Sequence, residues 1–141
     1  MTSANLDLVR SIFSAWERGD FSSVEWAEPE IAGGIADGPA PGSWTGVVEM
    51  AKVWRIQLRL WEDFHAEPDE FRELDGERVL VLAHFSARGK WSGLEVGQPQ
   101  TKAASLFHVR GDKVSRLVIY LNREHAFADL RRDSEIDSPR S

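Results

Sequence analysis

The chain has 141 residues, a net charge of -6 and a pI near 5.2, and its cations are scattered among acids without forming a basic stripe. That balance argues against nucleic acid as a partner, because phosphate neutralisation supplies most of that affinity. With 0 cysteines, disulfides, thiolate metal sites and cysteine nucleophiles are excluded.

The length gives one domain able to hold a core without covalent staples. The longest apolar run, around Val79 to Ala83, falls far short of the roughly 20 residues that cross a bilayer. Asp7 and Arg10 interrupt any secretory-type apolar start. A soluble cytoplasmic protein without cofactor or membrane contact is the expectation.

Leu6, Val9, Phe13 and Trp16 recur at helical spacing, with Leu8 and Ile12 widening the stripe, and predict a first helix from Ala4 to Arg18. Ser3 suits its N-cap and Gly19 its C′ position. Asp20 can cap a short second helix over Phe21 to Ala27, ended by Glu28-Pro29-Glu30. From Ile31 to Gly46 the chain is crowded with Gly and Pro, which predicts a loop with at most one short strand. Its aromatic and acidic residues suit either the lining of a site or a plain surface excursion.

Thr45 can cap a third helix in which Val47, Ala51, Trp54, Leu58 and Trp61 repeat, with Glu49, Lys52, Arg55, Arg59 and Glu62 on the polar side. Phe64 to Leu74 reads as a strand that Pro68 confines to a sheet edge, and Asp75-Gly76 as a hairpin turn. Val79 to Arg88 is a strong strand, followed by a turn at Gly89 to Gly93 and a short strand at Leu94 to Val96.

Lys102 to Leu121 forms a long hairpin around Arg110-Gly111-Asp112-Lys113. Neither arm alternates cleanly, which suits strands covered on both faces, by helices on one side and by something more, such as a second subunit, on the other. Glu124 to Leu130 predicts a short helix, and Arg131 to Ser141 a charged mobile tail outside a domain spanning 1–130. Helices followed by antiparallel strands give an α+β domain with helices on one sheet face.

The order and several local sequences resemble the SnoaL-like family of the nuclear-transport-factor-2-like superfamily. The carrying residues are Leu8 to Phe21, Val24-Glu25-Trp26, Trp44-Thr45-Gly46, Trp61 to Phe64, Gly89 to Gly93, and Gly111 to Val114 with Tyr120, over about residues 5–130. The resemblance implies a cone-shaped α+β barrel of three N-terminal helices packed on a curved antiparallel or mixed sheet. It also implies a deep apolar pocket for a hydrophobic small molecule and a homodimer through the outer sheet face. Members include ketosteroid isomerases, polyketide cyclases, limonene epoxide hydrolases and proteins that only bind or scaffold.

Carried over residue by residue, the activities fit poorly. The isomerase-like oxyanion positions fall on Ile12 and Ser105, leaving Asp37 as the only candidate acid. The cyclase-like His and acid fall on Ser105 and Asn122, and Asn is no general base. No pair of strand acids facing an Arg, as the epoxide hydrolases need, can be placed.

Two titratable groups stay in view as catalytic candidates. Asp37 suits a base if buried beside Trp44 or Trp54, and a solvated turn before Gly38 otherwise. His84 suits an acid, a base or a ligand anchor if it faces the cone, and a hydrogen-bonded structural His otherwise. Trp16, Trp44, Trp54, Ser105, Tyr120 and Asn122 are candidates for ligand contact, although aromatic residues fill cores as readily as they line pockets. Period-2 alternation puts His84 with Leu82 and Ser86, and Tyr120 with Val118 and Asn122, without saying which set points inward. The four His lack metal-ligand spacing, so no metal site is expected, and no phosphate loop or nucleophile elbow occurs.

Overall fold

The computed structural model describes residues 4–18, 20, 24–36, 42–59, 61–89 and 101–137. Its elements run α1 (Ala4–Glu17), β1 (Ala27–Ile35), β2 (Gly42–Thr45), α2 (Val47–Arg59), β3 (Trp61–Glu73), β4 (Arg78–Gly89), β5 (Thr101–Arg110), β6 (Lys113–Tyr120) and α3 (Arg123–Asp137). The six strands form one sheet in the order β2-β1-β6-β5-β4-β3. Only β1 and β6 are parallel neighbours; the other pairs are antiparallel, so the sheet is mixed.

The β5–β6 hairpin is central, as its apolar arms require. Gly111 turns it with φ 65°, a left-handed conformation that costs glycine nothing. β3 lies at the sheet edge, where Pro68 leaves no ladder donor missing, and the register slips between Pro68 and Glu70. The turn into β4 rests on Asp75, whose carboxylate accepts from the Glu77 and Arg78 amides at 2.8 and 2.9 Å.

Three expectations change. The helix expected over Phe21 to Ala27 is, in its described part, a turn at Glu25 and Trp26 followed by β1. Pairing decides this: the Val114 amide donates to the Trp26 carbonyl at 2.8 Å and Ala27 registers with Val114. The Gly-rich stretch holds two strands, not at most one. Gly33, at φ 141°, lies so close to β6 that a Cβ there would sit 1.8 Å from the Leu117 carbonyl oxygen. Glycine here is what lets β1 dock, so a turn-like composition marks a close backbone approach. α1 and α2 stand where the first and third helices were expected, and α3 begins where the short C-terminal helix was expected. α3 runs on to Asp137, past the Leu130 limit of the sequence reading.

Each sheet face buries its own core. Val79, Val81, Ala83, Phe85, Ala103, Phe107, Leu117 and Ile119 join Val9, Ile12, Phe13 and Trp16 of α1 and Met50 and Trp54 of α2 on the inner face. Leu80, Leu82, Ala104, Leu106 and Tyr120 join Ala126 of α3 on the outer face, with Val118, Phe127 and Leu130 alongside. The second covering expected over the hairpin is thus supplied in the same chain by α3.

At the start of α2, Gly46 takes the position expected for Thr45, accepting from the Met50 amide at 3.1 Å. Glu49 reaches back to the Thr45 amide at 2.8 Å. The expected Ser3 cap, the Gly19 C′ residue and the Leu94 to Val96 strand lie outside the described residues.

Candidate functional site

The inner face is built on an aromatic cluster. Trp16 of α1 lies 4.7 Å from Phe13, 5.1 Å from Trp54 of α2 and 6.1 Å from Phe107 of β5 between ring centroids. Trp26 stands 6.3 Å from both Trp16 and Trp54, and Phe71 of β3 meets Phe13 edge-on at 6.1 Å. Tilted and edge contacts of this kind add about 0.5–1.5 kcal/mol per pair beyond burial.

Two polar atoms sit in this wall without a hydrogen-bond partner among the described residues: Ser105 Oγ and Trp44 Nε1. Ser105 is fully buried, and its cross-strand neighbours are Val81 and Ile119. Trp44 is 3% exposed on β2, opposite Gly33, which registers in turn with Leu117. Leaving such a group unsatisfied costs about 1–3 kcal/mol. Two of them in one apolar wall mark hydrogen-bonding capacity that the described residues leave unused. No Asp, Glu, His, Lys or Arg side chain is among the buried described residues.

His84 points the other way, sharing the outer face with Leu82. Its Nδ1 lies 2.8 Å from Asp69 Oδ1 and its Nε2 3.2 Å from Glu67 Oε2. Asp69 is the extra residue of the β3 bulge, which turns its side chain toward β4. The other Asp69 oxygen accepts from Arg123 at 3.0 Å, and Arg123 also donates to the Ala83 and Ala103 carbonyls at 2.9 and 3.2 Å. Burial works to raise the Asp69 carboxyl, but the hydrogen bonds and charges of Arg123 and His84 outweigh it and hold it below its ordinary range.

Tyr120 is also on the outer face and donates to Asp129 Oδ2 at 2.9 Å. Asn122 caps α3, its Oδ1 accepting from the Glu124 amide at 2.9 Å. His84, Tyr120 and Asn122 therefore do not meet the inner wall; they hold α3 on the sheet. Trp16, Trp44, Trp54 and Ser105 do come together there, while Asp37 lies outside the described residues.

Sequence reasoning missed Phe13, Phe71 and Phe107 as parts of the wall and Asp69 and Arg123 as partners of His84. The aromatics carried a signal in their strand and helix periodicity, whereas the bulge that aims Asp69 had only the Pro beside it. On β1, β2 and β6 an open groove of about 440 Å³ runs past Gly34, Ser43, Arg116 and Val118. No metal-ligating group of His, Asp or Glu occurs among the described residues, and no described helix is long and apolar enough to cross a membrane.

No protein-family model and no curated protein matches the sequence. Solved structures do match. A nuclear-transport-factor-2-like protein of unknown function from Burkholderia pseudomallei is 20% identical, with a TM-score of 0.75 over 90% of this chain and 97% of its own. TerC, co-crystallised with polyporic acid, is 16% identical, with a TM-score of 0.71 over 91% of this chain and 98% of its own. A protein from Sinorhizobium meliloti described as a candidate polyketide cyclase is 23% identical, with a TM-score of 0.62 over 84% and 99%. These likenesses establish the nuclear-transport-factor-2-like α+β fold that the sequence resemblance implied.

Proposed function

We propose that the chain binds an apolar, cyclic small molecule against the inner aromatic wall and holds it through Trp44 Nε1 and Ser105 Oγ. The observation that carries this reading is the pair of buried polar atoms without partners among the described residues. Trp44 can only donate, so the ligand presents an acceptor there; Ser105 donates or accepts. Trp16 and Trp54 supply ring faces for stacking. That TerC, with the same fold, was co-crystallised with polyporic acid supports a ligand-binding use of this architecture.

Binding without chemistry is the reading favoured by the described residues, because the inner wall offers no acid or base and His84 is engaged on the other face. A catalytic version would draw on a group outside the described residues, such as Asp37. In the alternative, a homodimeric interaction module, the second copy uses the part of the outer face that α3 leaves open, along the β1, β2 and β6 groove.

The test is native mass spectrometry of the protein purified from its own host, alongside a Trp44→Phe variant. A neutral ring compound bound to the wild type and reduced roughly tenfold or more in the variant is expected, the loss of one buried hydrogen bond being worth about 1.4 kcal/mol. A ligand retained equally by Trp44→Phe and by Ser105→Ala would sink the assignment.

A further inference from the structure

α2 carries apolar residues on two opposite sides. Val47, Met50, Val53 and Trp54 face the inner core. Val48 and Ile56 face away from it, 66% and 55% exposed. At 3.6 residues per turn, Val48, Lys52, Arg55, Ile56 and Arg59 fall within an arc of about 100°. Lys52, Arg55 and Arg59 are exposed, and none of them forms an ion pair among the described residues. The one acid beside them on the helix, Glu49, is turned back onto the Thr45 amide.

We propose that this face of α2 docks an acidic amphipathic helix of a partner protein. A chain of net charge -6 here presents three cations and two aliphatic side chains together. Val48 and Ile56 stand about 12 Å apart along the axis, the separation of anchor residues two turns apart on a second helix. Carboxylates flanking those anchors would meet Lys52, Arg55 and Arg59, so charge sets both the orientation and the rate of docking. The contact is one helix face wide, which fits a transient complex. An anionic membrane offers the same charges, but two aliphatic side chains give too little apolar area to hold a helix in the bilayer interface.

The proposal is tested by fluorescence anisotropy with a labelled helical peptide whose two leucines, two turns apart, are flanked by glutamates. Controls are the same peptide with lysines in place of the glutamates, and vesicles containing anionic phospholipid. Saturable binding of the acidic peptide alone is expected, with amide shift changes confined to α2. Affinity should fall roughly tenfold in Lys52→Glu/Arg55→Glu and by a similar factor in Val48→Ser/Ile56→Ser, with far-ultraviolet circular dichroism unchanged. Absence of saturable binding up to millimolar peptide, or binding unaffected by both double variants, would overturn it. So would vesicle binding that maps to α2, which assigns the face to a membrane.

Discussion

The two faces of the sheet treat their polar atoms differently. On the outer face His84, Asp69, Arg123, Tyr120 and Asn122 are each engaged: His84 joins β4 to Asp69 of β3, Asp69 and Tyr120 bond α3, and Asn122 caps it. On the inner face Ser105 Oγ, flanked by Val81 and Ile119, and Trp44 Nε1 have no partner among the described residues. Satisfied polar groups are accounted for by the fold. Unsatisfied ones cost stability, and under the proposed function a bound molecule supplies the missing partner.

The contrast predicts that the inner face dominates stability. Trp16→Ala removes a ring in contact with Phe13, Trp26, Trp54 and Phe107, and should cost about 3–5 kcal/mol by urea denaturation. A loss below about 1 kcal/mol would show that the cluster collapses around the gap, and the inner face would no longer be the rigid wall of a site.

Arg123→Ala tests the outer face and comes next in size. It strips the Ala83 and Ala103 carbonyls and Asp69 of one donor, a loss of about 2 kcal/mol. Hydrogen exchange should quicken in α3 and leave α1 unchanged. If both helices quicken together, the two faces unfold as one unit.

The same network has a pH signature. Asp69 is held below its ordinary range in the fold, and Asp129 likewise, where burial opposes the lowering but the bonds from Tyr120 and Arg132 prevail. A carboxylate lowered by folding stabilises fully above its unfolded value, and that contribution disappears as pH falls through the folded value. Stability should therefore decline on acidification from the ordinary carboxylate range downward. The decline should be shallower in Arg123→Ala, whose Asp69 has already lost a cation. Equal slopes in both proteins would place the acid sensitivity elsewhere.

Much of this arrangement was legible in the residues. The stripe of Val9, Ile12, Phe13 and Trp16 specified α1, the apolar arms around Gly111 specified the central hairpin, and Pro68 specified an edge strand. Alternation correctly grouped His84 with Leu82 and Tyr120 with Val118. It could not say which group faced inward, because a period of two is blind to the choice of face and both faces of β4, β5 and β6 are apolar. That choice is made by α1 and α2 on one side and α3 on the other, contacts distant in sequence. For the same reason Gly33 and Gly34 read as loop residues: only the approach of Leu117 to the first and of Gly42 to the second shows why no side chain fits. Asp69 was hidden by the bulge, which breaks the alternation that would have placed it.

The smallest expected effect is the most informative about function. Ser105→Ala keeps nearly the same volume and removes the hydroxyl that lacks a partner among the described residues, so stability should hold or rise by up to about 1 kcal/mol. Most buried polar deletions do the reverse, as Tyr120→Phe should on the outer face, where the hydroxyl serves Asp129. If Ser105→Ala instead loses 2 kcal/mol or so, its hydroxyl has a structural partner and the inner face is satisfied like the outer one. If stability is kept while bound ligand is lost, the residue is held in the wall for what it binds, because folding alone would favour alanine there.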